Sequence, residues 1–255
     1  MKICVLIKQV PDKNASLSIN DNQSSIETQN ITWVSNESDN YALEEALLMK
    51  EVHGGEVIAC TLGNESAEQV LKDAMAKGAD RSILLSDTKF NGLDILSIAK
   101  IFTSAIKNEN FDLILSGLQS DDHGNSQLGL LLAELLNMSH ASLAMGAEII
   151  NDTSIKVKRE LENGWFQWSE LDLPASLTIQ SGINSPRYAS LRGIMMAKNK
   201  PLDNIEVNLS DYESGLSLEK LYIPSKSKET TFVEGTADEM ASGILNILVN
   251  EVKVL

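Results

Sequence analysis

Asp112-Leu-Ile-Leu-Ser116, followed by Gly117-Leu-Gln-Ser-Asp-Asp-His-Gly-Asn-Ser-Gln-Leu128, is the stretch whose reading decides the fold. Leu113 to Leu115 are apolar in succession, as in a strand covered on both faces. The next residues are polar and include two glycines. Ser126 to Leu136 then reads as a helix. A buried strand, a glycine-bearing loop and a helix form the repeating unit of an open parallel sheet, in which ligands sit beyond the carboxyl ends of the strands.

The same unit recurs upstream. Lys2 to Ile7 and Glu56 to Leu62 are further apolar strands, and Ser82 to Ser86 is another. Between them, a helix begins near Asp39 and ends at Gly54-Gly55. Ala67, Val70, Leu71, Ala74 and Met75 then lie on one face of a second helix. Ser66 and Gln69 form a possible capping box at its start, and Gly78 suits its end. Ile95, Ile98, Ala99, Phe102 and Ile106 predict a third helix. The expected fold class is therefore α/β, a mostly parallel sheet with helices on both faces.

The pattern changes after Ser139. Glu148 to Ile150, Ser154 to Leu161 and Trp165 to Leu171 are β-rich and joined by Asn151-Asp152 and Asn163-Gly164, which predicts a small antiparallel elaboration. Leu177 to Ile179 returns to the main sheet. Residues 200 to 232 show weak periodicity and read as an extended arm. Thr236 and Glu239 then cap a last helix bearing Ala241, Ile244, Leu245, Leu248 and Val252 on one stripe. This divides the chain into a domain at 1–199 and an arm with a helix at 200–255.

Composition narrows the function. Thirty-six acidic against 21 basic side chains give a formal net charge of −15. That argues against nucleic-acid binding, which needs a basic stripe. Cys4 and Cys60 are lone thiols in apolar strands, so a reducing, cytoplasmic compartment is expected. The opening residues are too soon interrupted by charge for a signal peptide, and no apolar run is long enough to insert into a membrane.

The 117–128 loop is the first candidate site. Gly117 and Gly124 allow close backbone approach, and free amides at the following helix start suit a phosphate. Asn125, Ser126 and Gln127 add neutral hydrogen-bonding groups. A solvated loop with a helix cap is an equal reading on pattern alone. Asp121, Asp122 and His123 invite a metal, but adjacent residues on an extended chain point apart. Asn36, Glu37, Ser38 and Asp39 read as an N-cap cluster or as a second wall of the pocket, and Thr61-Leu62-Gly63-Asn64 could supply a third. The second candidate is Gly182 to Lys198, where Arg187, Tyr188, Leu191, Arg192 and Met195 mix types enriched at protein interfaces. A core helix is the competing reading there.

These pieces, taken in order, resemble the β subunit of electron transfer flavoproteins. The resemblance rests on Lys2 to Val10, Asn36 to Asp39 with Ala42-Leu-Glu-Glu-Ala46, Ala76-Lys-Gly-Ala-Asp80, the 117–129 loop, Pro186-Arg-Tyr-Ala-Ser-Leu191, Ala197-Lys198 and Glu234-Gly-Thr236. The Gly182-Ile-Asn and Ser190-Leu-Arg-Gly-Ile194 variants are most similar to bacterial members that serve trimethylamine-type dehydrogenases. The resemblance implies an electron carrier rather than an enzyme. Its small subunit would bind AMP and share an FAD with a larger α subunit. It would take electrons from a flavoprotein dehydrogenase and deliver them to a membrane or other downstream acceptor. It places the AMP contacts on Leu6, Asn36, Glu37, Ser38, Asp39 and Leu62, and on Gly117, Leu118, Gln119, Ser120, Asp121, Asp122, His123, Gly124, Asn125, Ser126, Gln127 and Leu128. It places the partner anchor at Leu191, in the loop that Pro186 opens. A bifurcating subunit with a second FAD in place of AMP, and a stand-alone nucleotide-binding enzyme, are the alternatives.

Overall fold

The computed structural model describes residues 1–86, 93–224, 230 and 232–254. Two compact units are present, Met1–Lys220 and Leu221–Leu255. In the first unit β1 (Lys2–Leu6) leads into a short antiparallel pair, β2 (Gln9–Pro11) and β3 (Trp33–Ser35). Then come α1 (Glu37–His53), β4 (Glu56–Gly63), α2 (Glu68–Lys77), β5 (Arg81–Ser86), α3 (Ile95–Ile106), β6 (Leu113–Gly117) and α4 (Leu128–Leu136). After these follow β7 (Ser139–Asn151), β8 (Ser154–Glu160), β9 (Phe166–Asp172), β10 (Ala175–Ile179), α5 (Leu191–Ala197) and β11 (Leu202–Glu206).

Among the described residues one nine-stranded sheet runs in the order β11-β5-β4-β1-β6-β10-β7-β8-β9. It is parallel from β11 to β7, and β8 and β9 extend it antiparallel. The α/β class expected from the apolar runs is the one observed. Alternate residues of each strand face opposite layers. Val5, Val57 and Leu115 pack with Leu43, Leu47, Leu71 and Met75 of α1 and α2. Cys4, Ile58, Cys60 and Ile114 pack with Ile101, Phe102 and Leu132 of α3 and α4. Both cysteines are buried and free.

Three local expectations need correction. Ser66 and Gln69 do not form a capping box. Asn64 instead caps a short 3-10 turn, accepting from the Ser66 amide, and α2 follows directly with no side-chain cap. The fourth helix starts at Leu128 rather than Ser126, because Ser126 sits at φ 55, outside helical geometry. The arm expected from residue 200 opens as a sheet strand, for Leu202–Glu206 pairs in parallel with β5. Its alternation is weak because an edge strand carries Asp203, Asn204 and Glu206 to solvent. Residues 225–229 and 231 of that arm lie outside the described residues.

The second unit holds α6 (Ala237–Asn246) and a π-helical turn, Ile247–Val252. The Thr236–Glu239 capping box is formed, with both reciprocal bonds present. No residue of α6 is buried. No helix among the described residues is long and apolar enough to cross a membrane.

Candidate functional site

The chain runs from β1 to β4 and β5 on one side, then returns to place β6 on the other side of β1. That reversal opens a crevice beyond the carboxyl ends of β1 and β6. The start of α1 lies over it. One Asp39 carboxylate oxygen accepts from the Lys8 amide at 2.8 Å and the other from the Gly117 amide at 2.9 Å, so a single side chain ties the two strand ends together. Burial pushes the Asp39 pKa up from 3.8 to about 7, against the Lys8 amide, Asn36, the Gly117 amide and the Lys8 charge, all of which favour the ionised form. Asn36 precedes α1 without capping it. Its amide donates to the Gln119 carbonyl at 2.9 Å and its carbonyl accepts from the Asp121 amide at 2.9 Å. The Ser38 hydroxyl also donates to the Gln119 carbonyl, at 2.7 Å. Thus Asn36, Ser38 and Asp39 are buried and engaged with the 117–121 backbone.

Gly117 has an internal reason to be glycine. A Cβ there would collide with Ser38 Oγ, Asp39 Oδ1 and the Ser38 backbone. Farther along the loop, Lys8 Nζ bonds Asp122 at 2.7 Å and His123 Nδ1 at 2.9 Å, with Ser120 Oγ at 3.5 Å. Burial works to raise the Asp122 carboxyl, but the Lys8 ammonium and the Ser120 hydroxyl outweigh it and hold it below the usual range. Burial and the neighbouring Lys8 lower the His123 pKa. Asp121 turns the other way and accepts from the Glu37 amide at 3.4 Å. The three residues that invited a metal reading therefore divide between two partners.

The end of the loop is different. Gly124 and Ser126 have φ of 61 and 55, which turns the chain sharply on either side of Asn125. The first amide to close the helix is that of Leu131, which donates to the Gln127 carbonyl. Among the described residues the amides of 125–130 have no protein acceptor. Successive free amides at a helix start are an anion-binding concavity. Below them Ser116 Oγ is buried without a partner, and so is Thr61 Oγ1 at the end of β4. A depression of about 190 Å³ is lined by Glu37, Ser38, Leu118, Gln119, Asp121, Gln180 and Ser181. Leu6 is buried among the α3 and α4 side chains, and Leu62 and Leu128 pack half-buried against the same core. The arrangement offers donors to an anion.

The segment 182–200 is built on the outer side of α1 and α2. Asn184, Arg187 and Lys200 face inward. The Arg187 guanidinium bonds both Glu44 oxygens, at 2.8 and 2.9 Å, and Glu51 at 2.6 Å. These carboxylates raise the Arg187 pKa above its ordinary value. Asn184 donates to the Tyr41 carbonyl and to Glu45, each at 3.0 Å. Burial raises the Glu45 pKa, with the Glu44 charge adding to it and the Asn184 bond opposing. Ser190 caps α5 by accepting from the Gly193 amide at 3.0 Å. Three large apolar side chains face solvent: Tyr188 is 93 % exposed, Leu191 83 % and Met195 64 %. The core-helix reading of this segment is excluded. Arg192 is exposed and Pro186 half-buried.

Sequence reasoning missed Lys8, Gln180, Ser181, Glu44 and Glu45. The first three sit at strand ends that meet the crevice only through the strand order. A paired Glu44-Glu45 in a helix reads as a solvated face, although both side chains are buried here. The close packing at Gly129 and Gly193 leaves no local signal either. A Cβ on Gly129 would collide with Thr178, and one on Gly193 with the Ala76 carbonyl.

Comparison with known proteins gives a consistent result. The electron transfer flavoprotein domain family matches residues 24–210. The chain is 35 % identical, over a 264-residue alignment covering 99 % of both chains, to electron transfer flavoprotein subunit beta of Methylophilus methylotrophus. It is 34 % identical to the subunit of the same name from Bacillus subtilis (strain 168), covering 100 % of both chains. It is also 34 % identical to the mitochondrial electron transfer flavoprotein subunit beta of Arabidopsis thaliana, covering 96 % of this chain and 98 % of that one.

Proposed function

This chain belongs to the electron transfer flavoprotein family as one of its β, or small, subunits, and from that premise we propose that it binds one AMP on the 117–128 loop. It shares an FAD with an α subunit and carries electrons from a flavoprotein dehydrogenase to a downstream acceptor. It works in the cytoplasm and has no catalytic step of its own.

One observation carries the nucleotide reading: the amides of 125–130 are free, beside the unpartnered Ser116 hydroxyl. A phosphate group would accept from those amides and gain from the positive end of α4. The Thr61 hydroxyl is a further donor at a neighbouring strand end. Asp122 does not oppose the anion as a bare charge, because Lys8 neutralises it. The bound FAD supplies the redox chemistry, and the residues of this chain bind and orient. For docking, the support is the outward set of Tyr188, Leu191 and Met195, large apolar side chains held at the surface. A transient electron-transfer partner needs a small anchor patch of this kind.

Denaturing the purified αβ complex and separating the released nucleotides tests the reading. About one AMP per β chain is expected, as for one switch-point site. Two FAD and no AMP per complex would replace it with the bifurcating reading. Release of no adenine nucleotide would reject the 117–128 site.

A further inference from the structure

We propose that Glu44, Gly193 and Lys200 are positioning residues that hold α5 and its outward side chains in a preset orientation for the partner. The proposal rests on the reading of the Leu191 face as a docking surface. The helix is too short to hold itself, since isolated helices below about 12 residues are marginal in water. It has seven residues and buries only Ala197. Its position is therefore set from outside, at three points on two helices.

Upstream, buried Glu44 of α1 takes the Arg187 fork through both carboxylate oxygens and also accepts the Arg187 backbone amide at 3.0 Å. In the middle, Gly193 lies so close to the Ala76 carbonyl that any side chain would lift the helix. Downstream, Lys200 Nζ donates to the carbonyls of Met75 at 2.9 Å and Ala79 at 2.6 Å, at the carboxyl end of α2. A buried ion pair adds little net stability compared with apolar packing, but it fixes geometry through directional bonds. Here the geometry so fixed presents Leu191 to solvent instead of burying it. Ordering a loop at the moment of binding costs affinity, and a loop ordered beforehand avoids that cost.

The test uses the flavin-loaded αβ complex and the flavoprotein dehydrogenase that reduces the wild-type complex, with dithionite as a partner-free reductant. Glu44→Gln, Gly193→Ala and Lys200→Met should each raise the apparent KM for the dehydrogenase by about tenfold, the size expected for a few side chains newly ordered on binding. Reduction by dithionite, the flavin spectrum and kcat should stay at wild-type values. Amide exchange over 188–197 should quicken. On a Leu191→Ala background the same changes should add less to KM than they do in the wild type. Gly193→Ala alters no charge, so it decides the matter if a charge variant fails to assemble. Wild-type KM in Gly193→Ala and Lys200→Met, with a raised KM in Leu191→Ala, would overturn the positioning role and leave the docking reading standing. An unchanged KM in Leu191→Ala would overturn the docking reading and this proposal with it.

Discussion

The crevice at the ends of β1 and β6 and the segment 182–200 both rest on α1, yet they arrange their polar groups in opposite ways. In the crevice, Asn36, Ser38 and Asp39 turn toward the loop and bond its backbone at Gly117, Gln119 and Asp121, while among the described residues the amides of 125–130 stay open. In the segment, Asn184 and Arg187 turn toward α1, while Tyr188 and Leu191 stay open. What is left open differs in kind, and with it the ligand. Free amides suit an anion and cannot hold an apolar surface. Exposed leucine and tyrosine suit a protein face and offer an anion nothing.

Gly117→Val should break the crevice with the largest effect. Its side chain would enter the space of Ser38 and Asp39, and backbone collision of this kind costs at least about 3 kcal/mol. A denaturant titration would show the loss, and nucleotide would go only with the fold. A stable variant that has lost its nucleotide would mean that Gly117 serves the ligand directly.

Asp39 gives a pH-dependent version of the same test. An unfolded chain ionises this carboxyl near 3.8, while the folded protein keeps its proton to about 7. The unfolded state therefore gains as pH rises through that window, by up to roughly 4 kcal/mol at neutrality. Denaturant midpoints between about pH 4 and 8 should fall more steeply in the wild type than in Asp39→Asn, where this carboxyl is missing. Equal slopes would show that the two amide donors hold Asp39 ionised throughout.

On stability, Leu191→Ala should have the smallest effect, within about 0.5 kcal/mol, because an exposed side chain leaves no cavity. A thermal melt of the variant beside Gly117→Val sharpens the contrast between a region held by its interior and one that faces outward. A loss of about 2–5 kcal/mol would instead place Leu191 in a packed environment.

Much of the fold could be read from local pattern. Leu113 to Leu115 and Val57 to Cys60 are unbroken apolar runs, and a strand of that kind must be covered on both faces whatever its neighbours are. Val70, Leu71, Ala74 and Met75 keep helical spacing, and all four are buried. The loop 117–128 was legible as a site because strand, glycine and helix are consecutive in the chain. The capping box at Ser66 failed because Asn64 offers a competing cap two residues earlier. Polar residues near a helix start can cap it in more than one register.

The sequence by itself determined the alternating strands and helices of the first half, the α/β class and, through resemblance, the family. Tertiary structure alone decided that β6 lies beside β1, and so that Asp39 reaches Gly117, 78 residues away. It also decided that Glu44 meets Arg187 across 143 residues, turning an apparent surface charge into a buried anchor. Hydrophobic period is a property of a few adjacent residues and reports which face of an element is covered. Which element does the covering depends on how all the strands close into one sheet, and no local window of the chain contains that information.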